Sequence, residues 1–128
     1  MKKINILLPV ETITRELDYK LFFAASLANR GVNVIVAQHD FFNTNCFRFK
    51  GGGDIGKNIF IKDFPDTDLR FYNELKNNDI TLLHLDEEGG IPYGHEHCII
   101  ELDQRINPEV LKDTDYVFTW GSFQKKHF

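Results

Sequence analysis

Two near-continuous apolar runs, Ile4–Val10 (INILLPV) and Val32–Ala37 (VNVIVA), enclose a single helix-length segment. That arrangement leaves little choice of fold. Short runs without alternation read as strands covered on both faces, as in a parallel sheet. A strand, a crossover helix and a parallel strand within 37 residues make one β-α-β unit with a right-handed connection. The helix is predicted to begin near Thr14 as N-cap, with Glu16 and Asp18 placed well for the helix dipole. Leu17, Leu21, Ala25 and Ala28 form one apolar stripe, widened by Phe22 and Leu27. Asn29-Arg30-Gly31 is a helix stop, and the second strand follows at once.

The rest of the chain continues the alternation less regularly. Gln38–Lys57 reads as irregular, and Asn58–Ile61 (NIFI) as a short third strand. Pro65 and Asp66-Thr67 introduce a helix to about Asn77, with Leu69, Tyr72 and Leu75 on one side. Ile80–Leu85 is the fourth strand and Tyr116–Thr119 the fifth. Glu96–Arg105 has some helical character, Asn107-Pro108 opens a short helix through Lys112, and Ser122 is placed to cap a last one. The pattern predicts an α/β fold with a doubly wound parallel sheet of about five strands, ordered 3-2-1-4-5. In that order strands one and four are neighbours at the switch point.

Composition removes several function classes. A chain of 128 residues with 42% apolar content and twelve Phe residues fits a single packed domain. A formal net charge of −4 gives no footprint for nucleic acid. No run is long enough for a transmembrane segment, and Pro9 and Glu11 cut short the apolar start that a signal peptide would need. Two distant cysteines, Cys46 and Cys98, suit a reduced cytoplasmic chain rather than a disulfide framework.

The chemistry-bearing stretch is Ile80–Gly90, ITLLHLDEEGG. A buried strand there runs into Asp86-Glu87-Glu88, then Gly89-Gly90. Crowded carboxylates resist burial and raise one another's proton affinity, so they sit in solvent, pair with cations, or form a site. In open α/β sheets ligands bind beyond the carboxyl ends of the strands. Glu11, at the end of strand one, is expected to share that rim, with Trp120 beyond strand five. The bland alternatives are a solvated acidic turn and a Glu11–Arg15 ion pair. Glu11 also excludes the dinucleotide fingerprint, since the first β-α turn has no glycine and a carboxylate repels pyrophosphate.

Other motifs fail on their own chemistry. Gly51–Lys57 (GGGDIGK) matches half of a phosphate loop, but Asn58 replaces the magnesium-binding hydroxyl and a strand follows where a helix should start. His95-Glu96-His97-Cys98 gathers metal-capable groups, yet its two histidines share a face only on a strand. A polar loop is the simpler reading, and no metal is assigned. A phosphoacceptor receiver needs paired acids after strand one and a lysine after strand five, where this chain has Glu11 alone and Trp120-Gly121.

Three anchors together resemble a known family: LLPVETITRELDYKLFFAASLANRG, then LDEEG, then DYVFTWGSFQ. They are similar to the amino-terminal part of bacterial surface carbohydrate biosynthesis proteins, glycosyltransferases of the two-domain GT-B kind. The resemblance implies that residues 1–128 are one Rossmann-like amino-terminal domain. It implies further that a carboxy-terminal domain, not contained here, holds a nucleotide-activated sugar. This half then needs no cofactor and receives a glycan or lipid-linked acceptor, in the cytoplasm or at the inner face of the membrane. Asp86, Glu87 and Glu11 are the expected catalytic carboxylates, and Glu88, Gly89, Arg15, Trp120 and Gly121 the expected substrate contacts. Retaining and inverting chemistry both remain open, as does a free-standing binding or scaffolding module without catalysis.

Overall fold

The computed structural model describes residues 4–45, 48, 57–62, 69–85, 94, 96–97, 99–100, 111–119 and 121–127. The elements are β1 (Ile4–Val10), α1 (Ile13–Ala28), β2 (Asn33–Gln38), α2 (His39–Asn45), β3 (Lys57–Lys62), α3 (Leu69–Asn77), β4 (Thr81–Leu85), β5 (Tyr116–Phe118) and α4 (Ser122–His127). The chain is mixed α/β, and each strand pairing in it is parallel.

The strand order is β2-β1-β3-β4-β5, which corrects the expected 3-2-1-4-5. β3 lies between β1 and β4 instead of outside β2, so β1 and β4 are not neighbours. Crossover handedness explains the difference. A right-handed connection puts its helix on one face when the chain moves one way along the sheet, and on the other face when it moves back. α1 packs on the face that carries Ile6 and Leu8, through Ala24 and Leu27. Phe42 of α2 is buried with Leu7 on the opposite face, beside Phe71, Tyr72 and Leu75 of α3. The chain therefore reverses after β2, crosses β1, and lays β3 on its far side. β2 remains an edge strand, with Asn33, Ile35 and Gln38 exposed.

α1 also presents a different stripe from the one its apolar residues suggest. Glu16, Leu17, Lys20, Ala24 and Leu27 turn inward, while Leu21, Phe22, Ala25 and Ala28 are exposed, Phe22 to 78%. An ion pair between Glu16 and Lys20 fills the inner face and rotates the apolar residues away from it. The helix begins at Ile13, with Thr12 rather than Thr14 at the N-cap. On α3, Phe71 joins Tyr72 and Leu75 in the core, and Leu69 stays half-exposed.

Both helices leave for the next strand through the same corner. After α1, Val32 N donates to Leu27 O (3.2 Å) and Gly31 N to Ala28 O (2.9 Å), with Gly31 at φ 80°. After α3, Ile80 N donates to Leu75 O and Asp79 N to Lys76 O (both 3.0 Å), with Asp79 at φ 54°. This paired bonding satisfies the last carbonyls of each helix and sets an apolar contact across the corner. The expected stop at Asn29-Arg30-Gly31 stands. Asp115 ties the same amino-terminal end of β4, its carboxylate accepting Leu82 N and Lys112 N at 2.8 Å each.

Of the remaining expectations, Glu96, His97, Ile99 and Ile100 are helical. The short helix expected from Asn107-Pro108 through Lys112 does not extend to its end, since Leu111 and Lys112 are not helical; residues 107–110 lie outside the described residues. The last helix begins at Ser122 itself, with Lys125 N bonded to Gly121 O at 3.1 Å. Among the described residues no helix is long and apolar enough to cross a membrane.

Candidate functional site

The carboxyl ends of the strands make a level rim. Val10 is the register partner of Gln38, and Leu85 of Phe118. Leu7 pairs with Phe60 and Phe60 with Leu82, so three residues further along Val10 and Leu85 stand at one height. The β1–β3 ladder ends at Leu7–Phe60, whereas the β1–β2 ladder runs on to Val10–Gln38. Pro9, which has no N–H to give, falls in the stretch of β1 beyond its β3 partner. The rim is thus least tied where the chain changes direction, the place where open α/β sheets receive ligands.

One gap over from that switch point, between β1 and β2, Val10, Glu11, Gln38, His39 and Asp40 line a pocket of about 230 Å³. Glu11 is the first residue past β1, and His39 and Asp40 are the first two past β2. The Glu11 carboxylate faces the His39 ring, Oε1 to Nε2, at 3.9 Å. Glu11 is 43% exposed and His39 15%, so the pair opens towards solvent from the acid side. Asn43 lies 3.2 Å from His39 Nδ1, and Phe71 meets the ring edge-on at 5.9 Å. When the Asn43 amide donates to Nδ1, a neutral ring carries its proton on Nε2, towards Glu11. His39 Nε2 itself is buried, so it is the Glu11 carboxylate that meets the open pocket, and a carboxylate acceptor there suits a hydroxyl donor.

Beneath the pocket, Glu16 holds the β1–α1 turn in shape. Its Oε2 accepts Glu11 N (2.9 Å) and Lys20 Nζ (2.7 Å), while Oε1 accepts Thr12 N (3.2 Å) and Arg15 Nη2 (3.0 Å). Lys20 Nζ also donates to Pro9 O at 2.6 Å. Burial alone pushes the Glu16 carboxyl up. The hydrogen bonds from Lys20, the Glu11 amide and Arg15, with the Lys20 charge, outweigh it and hold the group at about 2. The carboxylate thus occupies the amides of the turn that leads into the helix, Glu11 and the N-cap Thr12.

Of the expected site residues, Glu11 and Arg15 lie at this turn, with Arg15 bonded to Glu16. Gly121 is exposed at the start of α4, just beyond β5. β5 stands three strand spacings from β1, about 14 Å away. Asp86, Glu87, Glu88, Gly89 and Trp120 lie outside the described residues, as do His95 and Cys98. His84 is buried on β4. Among the described residues no three His, Cys, Asp or Glu side chains are grouped to hold a metal.

His39 and Asp40 are the residues that sequence reasoning missed. The strand-end rule that singled out Glu11 applies equally to QHD after the second apolar run, but that stretch reads as irregular. Comparison with protein-family models and with curated proteins returns no match.

Proposed function

We propose that this chain is a doubly wound α/β domain on the acceptor side of a sugar-transferring enzyme of surface polysaccharide assembly. The observation that carries the reading is the Glu11–His39 pair, 3.9 Å apart in an open pocket at the carboxyl end of β1. The likeness of the LLPVETITREL, LDEEG and TWGSFQ stretches to surface carbohydrate biosynthesis proteins supports it.

In this reading the acceptor hydroxyl donates to Glu11, and the buried His39 ring stands behind that carboxylate. Its oxygen attacks the anomeric carbon of a nucleotide-activated sugar held by a separate carboxy-terminal domain. The hydroxyl proton passes to Glu11, and the bond to the nucleotide diphosphate breaks with its electron pair. Asp86 and Glu87 remain candidates for acid–base work on the strength of their motif. Such a domain works on the cytoplasmic side, where nucleotide sugars are made.

The test is turnover by an enzyme that pairs this chain with its sugar-nucleotide domain. Glu11→Gln is expected to lower kcat by about two to four orders of magnitude with the fold intact. Near-normal turnover would remove Glu11 from the chemistry. A second reading, a binding or scaffolding module without catalysis, draws on the exposed outer face of α1 at Leu21 and Phe22. Transfer activity that depends on the rim carboxylates excludes it.

A further inference from the structure

The polar pocket has an apolar neighbour. Val10, Ile13, Leu17, Val36, Ala37 and Gln38 line a second cavity of about 180 Å³. Val10 and Gln38, partners in the β1–β2 register, line both cavities, so the two adjoin across one pair of residues. Together they reach the lower end of the volume range of small-molecule sites, about 300–1,000 Å³. Apolar walls with a few convergent polar groups at one end are the usual make-up of such a site.

We propose that the β1–β2 rim takes a hydroxyl-bearing, non-anionic ligand with a compact apolar group attached next to its polar end. The polar end sits against Glu11, His39 and Asp40, and the apolar group against Ile13, Leu17 and Val36. Ile13 is 63% exposed at the mouth of the apolar cavity, where a bound ring or branched alkyl group takes it out of water. Its spacing of four from Leu17 puts both side chains on one side of α1. Two features oppose an anionic ligand. Glu11 and Asp40 both carry negative charge into the polar pocket, and Glu16 already occupies the amides of Glu11 and Thr12. The inference rests on the acceptor-hydroxyl reading and adds the chemistry of the group beside that hydroxyl.

The experiment compares phenyl β-D-glucoside with methyl β-D-glucoside, titrated into the isotope-labelled chain and followed by NMR. The phenyl compound is expected to bind about tenfold more tightly, with the largest shifts at the Ile13 and Leu17 methyl groups. Ile13→Ser, at an exposed position that leaves the fold intact by circular dichroism, should shrink that ratio to about threefold or less. Glu11→Gln should weaken both compounds alike. Equal dissociation constants in the unaltered chain overturn the proposal, as does the absence of binding by either glucoside. If the ratio is one but Glu11→Gln still weakens both, hydroxyl recognition stands and the apolar subsite falls. If the ratio holds but Glu11→Gln leaves transfer unaffected in the complete enzyme, the subsite stands and the catalytic reading falls.

Discussion

α1 meets its face of the sheet through a buried ion pair with Leu17, Ala24 and Leu27, whereas α3 meets the other face through Phe71, Tyr72 and Leu75. On the α3 side, Phe42, Ile80 and Leu82 complete a continuous apolar core. On the α1 side, the first two turns bury Glu16 and Lys20, and larger apolar residues of the helix face outward. The difference lies in what each face must do. The α3 face only has to exclude water. The α1 face also holds the backbone at Glu11 and Thr12, and a carboxylate with several donors fixes backbone position more sharply than hydrocarbon can.

This contrast breaks most readily at Lys20. Lys20→Ala leaves Glu16 buried without its main cation and takes the donor from the Pro9 carbonyl. Urea unfolding should show a loss of about 3–5 kcal/mol. On the apolar face, Leu75→Ala should cost about 3 kcal/mol by the same measurement, because the surrounding rings leave a cavity. The two variants then part in acid. Glu16 sits at about 2 in the folded chain against an ordinary 4.5, so folding depresses its pKa. A depressed carboxyl contributes stability that is present above about pH 4.5 and lost as the pH falls towards 2. The amount is about 3 kcal/mol. Leu75→Ala should keep this acid loss, and Glu16→Gln should flatten it.

The smallest expected effect sharpens the comparison at the two helix corners. Gly31 enters the left-handed region without steric cost, while Asp79 does so with a side chain and beside the negative end of α3. Asp79→Gly should raise stability by roughly 0.5–1 kcal/mol. No gain in thermal unfolding would mean that the Asp79 carboxylate compensates for its backbone.

Much of the local structure was legible because it is written in local pattern. The runs INILLPV and VNVIVA became β1 and β2 within a residue or so, and Gly31 marked its corner. Strand order was not legible, since pairing depends on which face each crossover helix takes. The cue, Phe42 packing on the Leu7 face, lies in a stretch with no clear period. The inward face of α1 was misread for a related reason: periodicity counts apolar residues, and here the inward positions are Glu16 and Lys20. Glu11 was found from its place after a strand. His39 was missed because α2 is seven residues long, too short to declare itself.

The level rim bears on how a chain of this kind can vary over evolutionary time. Side chains alternate sides along a strand, so one residue gained or lost within β1 carries Glu11 to the other side of the sheet. The same change would pull Val10 out of step with Gln38 and separate Glu11 from His39. Loops can lengthen freely without that penalty. Homologous chains that keep the Glu11–His39 pair should therefore hold constant the number of residues from Ile4 to Glu11 and from Asn33 to His39, whatever the side chains in between.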